Sequence, residues 1–372
     1  MDSGEQGARQ WGECVVISRA DMIDRLSSSA TAPTKTYVVE VHTDEPGDYL
    51  RDALGSQNVE ETADAYLYRV HAGPNLSFWV DQLDERFWNF HTQDPVRDAL
   101  PYLKSIVDER RELDWMWLPS AHLRHIWPGA TTRRVRTEFH ARDVLDEDSY
   151  SSDLSVRLSG RDADQLLDYI AENDKYRSAV PFDSVQIRLS DPELGCIDEA
   201  LNRSGRFAVS GESIEFHLQF VRSIVNRYKG FVEACERRAI EWRPFSDDGD
   251  PGGLMNGAPI VIDFSKSANL SRLLDAVFSS RYPYRLWGTP VIVDAVAYVE
   301  AVDLHVGRRV RVDVGSRWLR VYLEQGGCGN TVARLISNLQ TRFDSALSLR
   351  DPELQAALSA HAGSRSRTMS SD

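Results

Sequence analysis

Hydrophobic and polar residues alternate in several short segments of the chain, and each such segment predicts a half-buried β-strand. The clearest run lies in the last third, where 296–306, 308–314 and 317–323 follow one another. Gly307 and Gly315 stand between these segments, as is typical of tight turns. We therefore predict an antiparallel three-stranded meander. We predict further strands at 14–17, 37–42, 154–158, 185–189, 207–209, 214–220 and 259–264.

Apolar residues three and four positions apart predict amphipathic helices between these strands. We predict them at 20–26, 46–54, 163–170, 221–240, 270–277 and 332–347. Asp191 and Pro192 indicate the start of another helix, because proline is tolerated in a first turn. Ser267 is the expected N-cap of the helix at 270–277, and Leu166 is expected on the inward face of the helix at 163–170.

The division into domains follows from composition. Residues 244–257 are rich in Asp, Gly and Pro, which predicts a linker. This linker would separate a tryptophan-rich α+β domain at 36–243 from an α+β domain at 258–350, which holds a βα unit, the meander and a closing helix. We expect an N-terminal βα segment and linker at 1–35 and a partly disordered tail at 351–372.

The predicted fold class is α+β, with small antiparallel sheets, helices packed on one face and two domains. A weak internal strand–helix repeat is visible, since the segments 154–159 and 260–265 both end in serine and precede a helix containing Leu-Leu-Asp. Generic amphipathic units also produce such agreement by chance. Five of the nine tryptophans fall within 78–127, a density that favours a hydrophobic core.

Length and cysteine content place broad limits on the class of protein. The 372 residues are enough for two or three domains, and no apolar run approaches the roughly 20 residues that cross a bilayer. The first ten residues are polar, unlike a secretion signal. The four cysteines are far apart and form no C-x-x-C pair, which argues against a zinc ribbon or a disulfide scaffold. We expect reduced thiols in a cytoplasmic protein without membrane association.

The net charge of −14 comes from 57 acidic and 43 basic residues. A negative overall field disfavours nucleic acid as a partner unless the cations are concentrated on one face. Only five of the basic residues are lysine, and this arginine bias is typical of GC-rich coding sequence, so we expect a bacterial source.

A glycine-rich loop between the meander and the helix at 332–347 is the first candidate site. Glycines before a helix expose backbone N–H groups that can hold an anion such as phosphate. The candidate anion-binding residues are Gly326, Gly327, Gly329, Asn330 and Thr331. The Lys-Ser/Thr pair of nucleotide-triphosphate loops is missing, and a tight turn with Asn330 or Thr331 as helix cap is the alternative.

The outward face of the meander is the second candidate site. If the alternating valines and leucines face the core, arginines and aromatic rings are interleaved on the other side. These residues are Arg309, Arg311, Trp318, Arg320 and Tyr322. Such a mixture suits a protein interface, and it also suits the phosphates and bases of single-stranded nucleic acid. The alternative is that another layer of the same chain covers this face.

Metal ligands are not evident from spacing. His122 and His125 form an H-x-x-H pair, but a third ligand would have to be recruited from His91 or His140. The acidic run at 247–250 lacks the spacing of a calcium loop and fits a solvated linker. We assign no metal ligands, and the cofactor is unknown.

No G-x-S-x-G, kinase or H-E-x-x-H motif is present, so the sequence supports no reaction class. We expect a non-catalytic recognition or regulatory subunit of a bacterial multiprotein system, which binds a protein partner through the Arg/Trp/Tyr face. The first alternative is an enzyme that holds a phosphorylated or nucleotide substrate at 326–331. The second alternative is single-stranded nucleic-acid binding.

Overall fold

The α+β class predicted from the sequence is confirmed. The computed structural model describes residues 17–28, 32–43, 45–140, 153–244 and 253–360. In these ranges the strands form sheets of eleven, six and two strands, and all pairs of neighbouring strands in them are antiparallel. Helices lie between and beside the two larger sheets. The strand predicted at 14–17, apart from Ile17, lies outside the described residues, as does the acidic run at 247–250.

The larger sheet is built around its central strand, which pairs with three neighbours. Its strands are β1 Thr34–Val41, β2 Val59–Glu61, β3 Leu67–Gly73, β4 Leu76–Asp81, β5 Phe87–Thr92, β6 Leu113–Trp115, β7 Thr131–Phe139, β8 Leu154–Ser159, β9 Ser184–Asp191, β10 Gly195–Asn202 and β11 Arg206–Gly211. The order is β2-β3-β4-β5-β1-β11-β10-β9-β7-β8, with β6 beside the second half of β1. All eight residues of β1 are buried, because the sheet surrounds it.

The smaller sheets follow in the second half of the chain. Their strands are β12 Glu241–Pro244, β13 Gly253–Asn256, β14 Ile260–Asp263, β15 Leu286–Val293, β16 Val296–Asp303, β17 Arg308–Gly315, β18 Trp318–Leu323 and β19 Ser348–Leu349. Strands β12 and β13 pair with each other, and the other six follow the order β15-β16-β17-β18-β14-β19. The predicted meander is confirmed as β16, β17 and β18, in which Val312 pairs with Val299 and Val321.

The helices pack on the apolar faces of these sheets. They are α1 Arg19–Ser28, α2 Pro46–Leu54, α3 Val96–Glu109, α4 Ser120–Arg124, α5 Ala163–Glu172, α6 Ile214–Glu236, α7 Leu270–Val277, α8 Asn330–Arg342 and α9 Pro352–Ser359. Helix α9 occupies part of the segment that the sequence suggested as a tail. The remainder of that tail, 361–372, lies outside the described residues.

One hydrophobic cluster joins the two larger sheets. It contains Phe87 of β5, Ile224 of α6 and Val312 of β17, all fully buried. A second cluster lies under β1 to β5 and includes Trp88 and Trp115, so the tryptophans of 78–127 contribute to a core as expected. The two-domain division stays a prediction, and most of its proposed linker lies outside the described residues.

Helix α8 lies at the centre of the molecule. Residues 330 to 341 are all buried, including the polar ones. Phe343, just beyond its end, packs edge-on against Phe264 after β14, with ring centroids 4.9 Å apart. A helix that is buried on every side must place its polar side chains against polar partners, and these partners define the site described below.

The helix predicted to begin at Pro192 is wrong. Residues 192–194 form the turn between β9 and β10. The Asp191 carboxylate accepts hydrogen bonds from the N–H groups of Glu193 and Leu194, at 2.8 and 3.0 Å. This local bonding favours a turn. In the strand that follows, the alternate residues Ile197, Glu199 and Leu201 are buried.

The strand predicted at 214–220 is also wrong, because these residues form the first turns of α6. The Ser213 hydroxyl accepts a hydrogen bond from the N–H of Phe216 at 3.1 Å and so caps the helix. Phe216 and Phe220 are four residues apart and both buried, which is the helical spacing that the alternating pattern concealed.

Two smaller predictions are corrected by side-chain contacts. Asn269, rather than Ser267, caps α7, since its side-chain oxygen accepts from the N–H of Arg272. Leu166 of α5 is 50% exposed, while Ala163 and Leu167 face the core.

Candidate functional site

The outward face of the meander has the orientation that the alternation predicts. The apolar residues of β17 and β18 are at most 2% exposed: Val310, Val312, Val314, Leu319, Val321 and Leu323. On the other side, Arg309 and Arg311 are exposed, whereas Trp318, Arg320 and Tyr322 are half-buried. The role of these five residues in binding stays a prediction, but they do share one surface.

Contacts within this surface hold its rings in place. The Trp318 ring lies directly over Gly315, where a Cβ atom would collide with the indole. The Arg320 guanidinium stacks over the Trp318 ring, 4.3 Å from its centroid. Arg311 lies 5.4 Å from the Tyr322 ring centroid, and its Nε donates to Asp313 at 3.2 Å. These aromatic side chains are therefore pre-ordered rather than mobile.

The surface continues onto β15 and β16, which the sequence analysis did not assign to it. Trp287, Val291, Val293 and Tyr298 have exposed fractions of 56%, 61%, 51% and 40%. The register of β15 with β16 and of β16 with β17 places these side chains on the same side as Arg311. We call the full set the open face: Trp287, Val291, Val293, Tyr298, Arg309, Arg311, Trp318, Arg320 and Tyr322.

The glycine loop leads into the interior rather than to a ligand-sized opening. Gly327, Gly329, Asn330 and Thr331 are all buried. The N–H of Gly329 donates to the Glu236 carboxylate at 2.8 Å, so the positive end of α8 already faces an anion from the end of α6. An external anion would have to displace Glu236. The anion-binding role of this loop stays a prediction.

Close packing explains Gly329 without a ligand. A Cβ atom there would collide with the main-chain carbonyl oxygen of Val232 in α6. Gly326 has φ of +77°, a conformation that glycine adopts most readily. The loop glycines therefore serve the turn and the approach of α8 to α6.

Asn330 and Thr331 do not cap α8, which was the alternative expectation. The Asn330 amide donates to Asp114 at 3.3 Å and to the Trp115 carbonyl at 3.2 Å, and its oxygen accepts from the Tyr228 hydroxyl. The Thr331 hydroxyl donates to Asp303. Both residues are thus part of a buried polar network.

Arg334 is the centre of that network. It is fully buried and binds Asp114 of β6 through Nη1 and Asp303 of β16 through Nη2, the latter at 2.6 Å. Its Nε donates to the carbonyl of Tyr284 at 2.9 Å. Burial alone would raise the pKa of the Asp303 carboxyl, but the charge of Arg334, with hydrogen bonds from the Thr331 hydroxyl and the His305 main-chain N–H, holds that pKa below its usual value. One guanidinium thus links both larger sheets through α8.

A second ion cluster lies beside the glycine loop, with Glu40 fully buried and Arg86 and Glu236 partly exposed. Arg86 binds Glu40 of β1 through Nε at 2.7 Å and Glu236 through Nη2 at 2.6 Å. Burial would raise the pKa of Glu40, but the charge and hydrogen bond of Arg86 are the main cause of its fall to about 2, so this carboxylate is ionised. Burial and the charge of Glu40 raise the pKa of the Cys328 thiol well above its usual value.

Within the described ranges, one set of histidine, cysteine and acidic side chains meets the distance expected of metal ligands. It consists of Glu40, His305 and Cys328, whose ligand atoms lie within 4.8 Å of one another. No spacing motif in the sequence indicates this set, because its members are far apart along the chain. By contrast, His122 is packed against the ring of Phe231, with centroids 5.7 Å apart, and His125 ends α4.

A further buried chain of hydrogen bonds crosses the larger sheet. Glu199 contacts His217 Nδ1 at 2.5 Å, His217 Nε2 contacts the Thr36 hydroxyl at 2.7 Å, and that hydroxyl contacts His91 Nδ1 at 2.8 Å. The order resembles a carboxylate–histidine–hydroxyl relay, but Thr36 and both imidazoles are at most 1% exposed. A nucleophile needs access to its substrate, so this arrangement favours a structural role.

The outer face of the larger sheet carries a basic groove of about 350 Å³. Its cationic residues are Lys35, Arg134, Arg136, Arg157 and Arg206. None of the described residues that line it is acidic. Local sequence patterns did not indicate this groove, because its cations come from four strands that are separated along the chain.

The chain is similar to one family of known proteins. The family model described as MJECL33-like protein matches residues 21–357, so the chain belongs to that family. The uncharacterized protein MJECL33 of Methanocaldococcus jannaschii is 24% identical to the chain over an alignment of 357 positions. The alignment covers 84% of each of the two proteins. No solved structure matches the chain. No helix of the described segments is long and apolar enough to cross a membrane.

Gly329→Ala tests the explanation of the glycine loop. The added methyl group collides with the Val232 carbonyl, and we expect a loss of about 1–3 kcal/mol in the free energy of unfolding. Gly230→Ala is the control, since a Cβ at this position inside α6 meets nothing within 4 Å and should be neutral or slightly stabilising. Urea unfolding measures both. Equal stabilities of the two variants would contradict the packing explanation.

Arg334→Met tests the buried network. The change removes the guanidinium from Asp303 and leaves Asp114 with the more distant Arg285, at 3.8 Å, and we expect it to lower the free energy of unfolding by about 3–5 kcal/mol at neutral pH. The loss should shrink as the pH falls, because burial without the guanidinium favours the protonated form of Asp303 in the variant already above the usual aspartate pKa.

Arg350→Met is the matched control for this prediction. Arg350 pairs with Asp263 at the surface with 54% of its side chain exposed, so its removal should cost at most about 1 kcal/mol. Similar losses for the two variants at neutral pH would show that burial does not strengthen the Arg334 interactions.

Proposed function

We propose that the protein is a cytoplasmic, non-catalytic recognition or regulatory subunit of a bacterial multiprotein system, and that it binds a protein partner through the open face. The observation that supports this proposal is an exposed apolar surface. Trp287, Val291, Val293 and Tyr298 are exposed on the same side of the sheet as the stacked Trp318 and Arg320. Soluble monomers rarely leave extended apolar patches uncovered. No described segment packs over this face as an additional layer.

The composition of the open face resembles that of an interface hot spot. Tryptophan, tyrosine and arginine dominate binding energies at protein interfaces, especially when their side chains are already ordered. Trp318 packs against Gly315, and Arg320 stacks on the Trp318 ring, so both side chains are already ordered. Little side-chain entropy would be lost when a partner binds.

The charges of the face indicate the chemistry of the partner. Arg309, Arg311 and Arg320 place three cations on one surface of a chain whose net charge is −14. Two carboxylates on the same side, Glu300 and Asp313, pair with Arg311, so Arg309 and Arg320 carry the excess positive charge. A partner with apolar side chains flanked by carboxylates would complement this surface and would be steered towards it. The uncovered strand β15 lies at the sheet edge and offers Val291 and Val293 next to those cations.

The free cysteines and the composition support a cytoplasmic location. Cys196, Cys235 and Cys328, the three cysteines in the described ranges, form no disulfide with one another. Reduced thiols are typical of cytoplasmic proteins.

The double variant Trp318→Ala/Arg320→Ala tests the interface. With a tagged full-length chain, we expect the partner that co-purifies from native lysate to be lost. With that partner purified, the dissociation constant should rise by roughly 30-fold or more, as for a hot-spot pair. Pull-down followed by calorimetric titration measures this change, and the melting temperature should stay within a few degrees.

Tyr169→Ala provides the control, because this tyrosine of α5 is 71% exposed and lies away from the open face. It should bind like the wild type. If the double variant retains all its partners at wild-type affinity, the proposed interface is wrong.

The basic groove favours a second candidate function, the binding of single-stranded nucleic acid. Five cations without a lining carboxylate form a local positive field on an acidic protein. The Arg136 guanidinium is paired with Glu138 at the margin, whereas Lys35 donates to main-chain carbonyls at 2.9 and 3.0 Å. The phosphate backbone is the complementary ligand, with affinity that depends on salt.

Charge reversal distinguishes the two surfaces. Arg134→Glu/Arg157→Glu should abolish binding of a labelled single-stranded oligonucleotide, whereas Arg309→Glu/Arg311→Glu on the open face should leave it unchanged. For the wild type, log K should fall with log salt by about 0.7 for each phosphate neutralised. Affinity that does not vary with salt, or no binding, removes this candidate.

A further inference from the structure

Three side chains with the chemistry of metal ligands meet at the start of α8. Glu40 comes from β1, His305 from the segment after β16, and Cys328 from the glycine loop. Their ligand atoms lie within 4.8 Å of one another, and their exposed fractions are 0%, 0% and 1%. Carboxylate, imidazole and thiol together are a combination that suits Zn²⁺ and similar divalent ions.

The hydrogen bonding of this set is incomplete. Neither ring nitrogen of His305, nor Oε2 of Glu40, has a hydrogen-bond partner within the described part of the chain. His305 Nε2 lies 3.3 Å from Glu40 Oε2, close enough for an ion pair but without hydrogen-bond geometry. Buried polar atoms are nearly always paired, and a bound ion is one explanation when they are not.

The position of Arg86 leaves the ligand atoms accessible to one another. Arg86 binds Oε1 of Glu40, whereas Oε2 is directed to His305. The Cys328 sulfur lies 3.3 Å from Glu40 Oε1 and 3.4 Å from Arg86 Nη2. A tetrahedral ion with bonds of roughly 2.0–2.3 Å needs ligand atoms roughly 3.3–3.8 Å apart, so shifts of an ångström or less would suffice.

The surrounding charges leave a net negative balance. The connected network contains four carboxylates, of which Glu40, Asp114 and Asp303 are buried and Glu236 is 26% exposed. It contains three guanidiniums, those of Arg86, Arg285 and Arg334. A divalent ion that binds with loss of the Cys328 thiol proton to solvent adds one positive charge and makes the network neutral.

We propose that Glu40, His305 and Cys328 bind one divalent transition-metal ion, for which Zn²⁺ is the best chemical match. Arg86 and Glu236 lie outside the ligand set, where the guanidinium orients Glu40 and offsets its charge. The ligands are buried and come from both larger sheets and the α8 loop, so the ion would join these elements. Because the set supplies three protein ligands, a water molecule would have to complete a tetrahedral coordination. This site is independent of the open face.

Cobalt titration of the full-length, reduced and chelator-treated protein is the decisive experiment. We expect thiolate-to-cobalt charge-transfer absorption in the near ultraviolet and intense visible absorption from tetrahedral Co²⁺, saturating at one equivalent and displaced by Zn²⁺. The melting temperature should rise with Zn²⁺. Absence of the charge-transfer absorption, with a melting temperature that Zn²⁺ leaves unchanged, would overturn the proposal.

Two thiol variants assign the ligand. Cys328→Ser should lose the charge-transfer absorption, and Cys196→Ser, which removes a half-buried thiol of β10, should retain it. Circular dichroism verifies that each variant is folded. Should Cys328→Ser fail to fold, His305→Gln supplies the second test, because loss of the imidazole should weaken Co²⁺ binding at least tenfold. Unchanged Co²⁺ binding in either folded variant would refute the ligand set.

Discussion

The structure depends on the ion cluster of Arg334, which is buried at the centre of the molecule. Its guanidinium binds Asp114 in the eleven-stranded sheet and Asp303 in the six-stranded sheet. Such a cluster gains little over apolar packing, but it is costly to break from one side, because an unpaired charge would remain in the core. The positions of the two sheets relative to α8 are therefore coupled through one side chain.

This constraint accounts for the arrangement of the remaining polar residues. Helix α8 brings Asn330 and Thr331 into the same network, and Glu236 receives the N–H of Gly329. The loop that resembles an anion-binding motif thus has its donors satisfied inside the protein. With one side of the six-stranded sheet committed to this core, its other side remains as the open face, the surface on which we base the proposed partner interaction.

Local patterns were sufficient to predict part of this picture. The alternation around Val312 and Val321 predicted the meander, its buried side and the outward direction of Arg311, since strand periodicity is a local property. The same criterion failed at 214–220, where Ser213 and the spacing of Phe216 and Phe220 produce a helix. Strand β15 was not predicted, because hydrophobic and polar residues do not alternate in its sequence, Leu-Trp-Gly-Thr-Pro-Val-Ile-Val.

Sites whose residues are brought together only by the tertiary fold could not be predicted from the sequence. Glu40, His305 and Cys328 have no common motif, and only the pairing of β1 within its sheet and the packing of α8 bring them together. The buried polar side of α8 was hidden for a similar reason, because an amphipathic helix normally turns such residues to solvent.

Native-state hydrogen exchange tests the central claim most directly. If the cluster of Arg334 couples the two sheets, the slowest amides of β1 and β17 should exchange with the same free energy of opening, equal to that of global unfolding. Exchange of the β17 amides at a clearly lower free energy than those of β1 would contradict the account, because the six-stranded sheet would then open on its own.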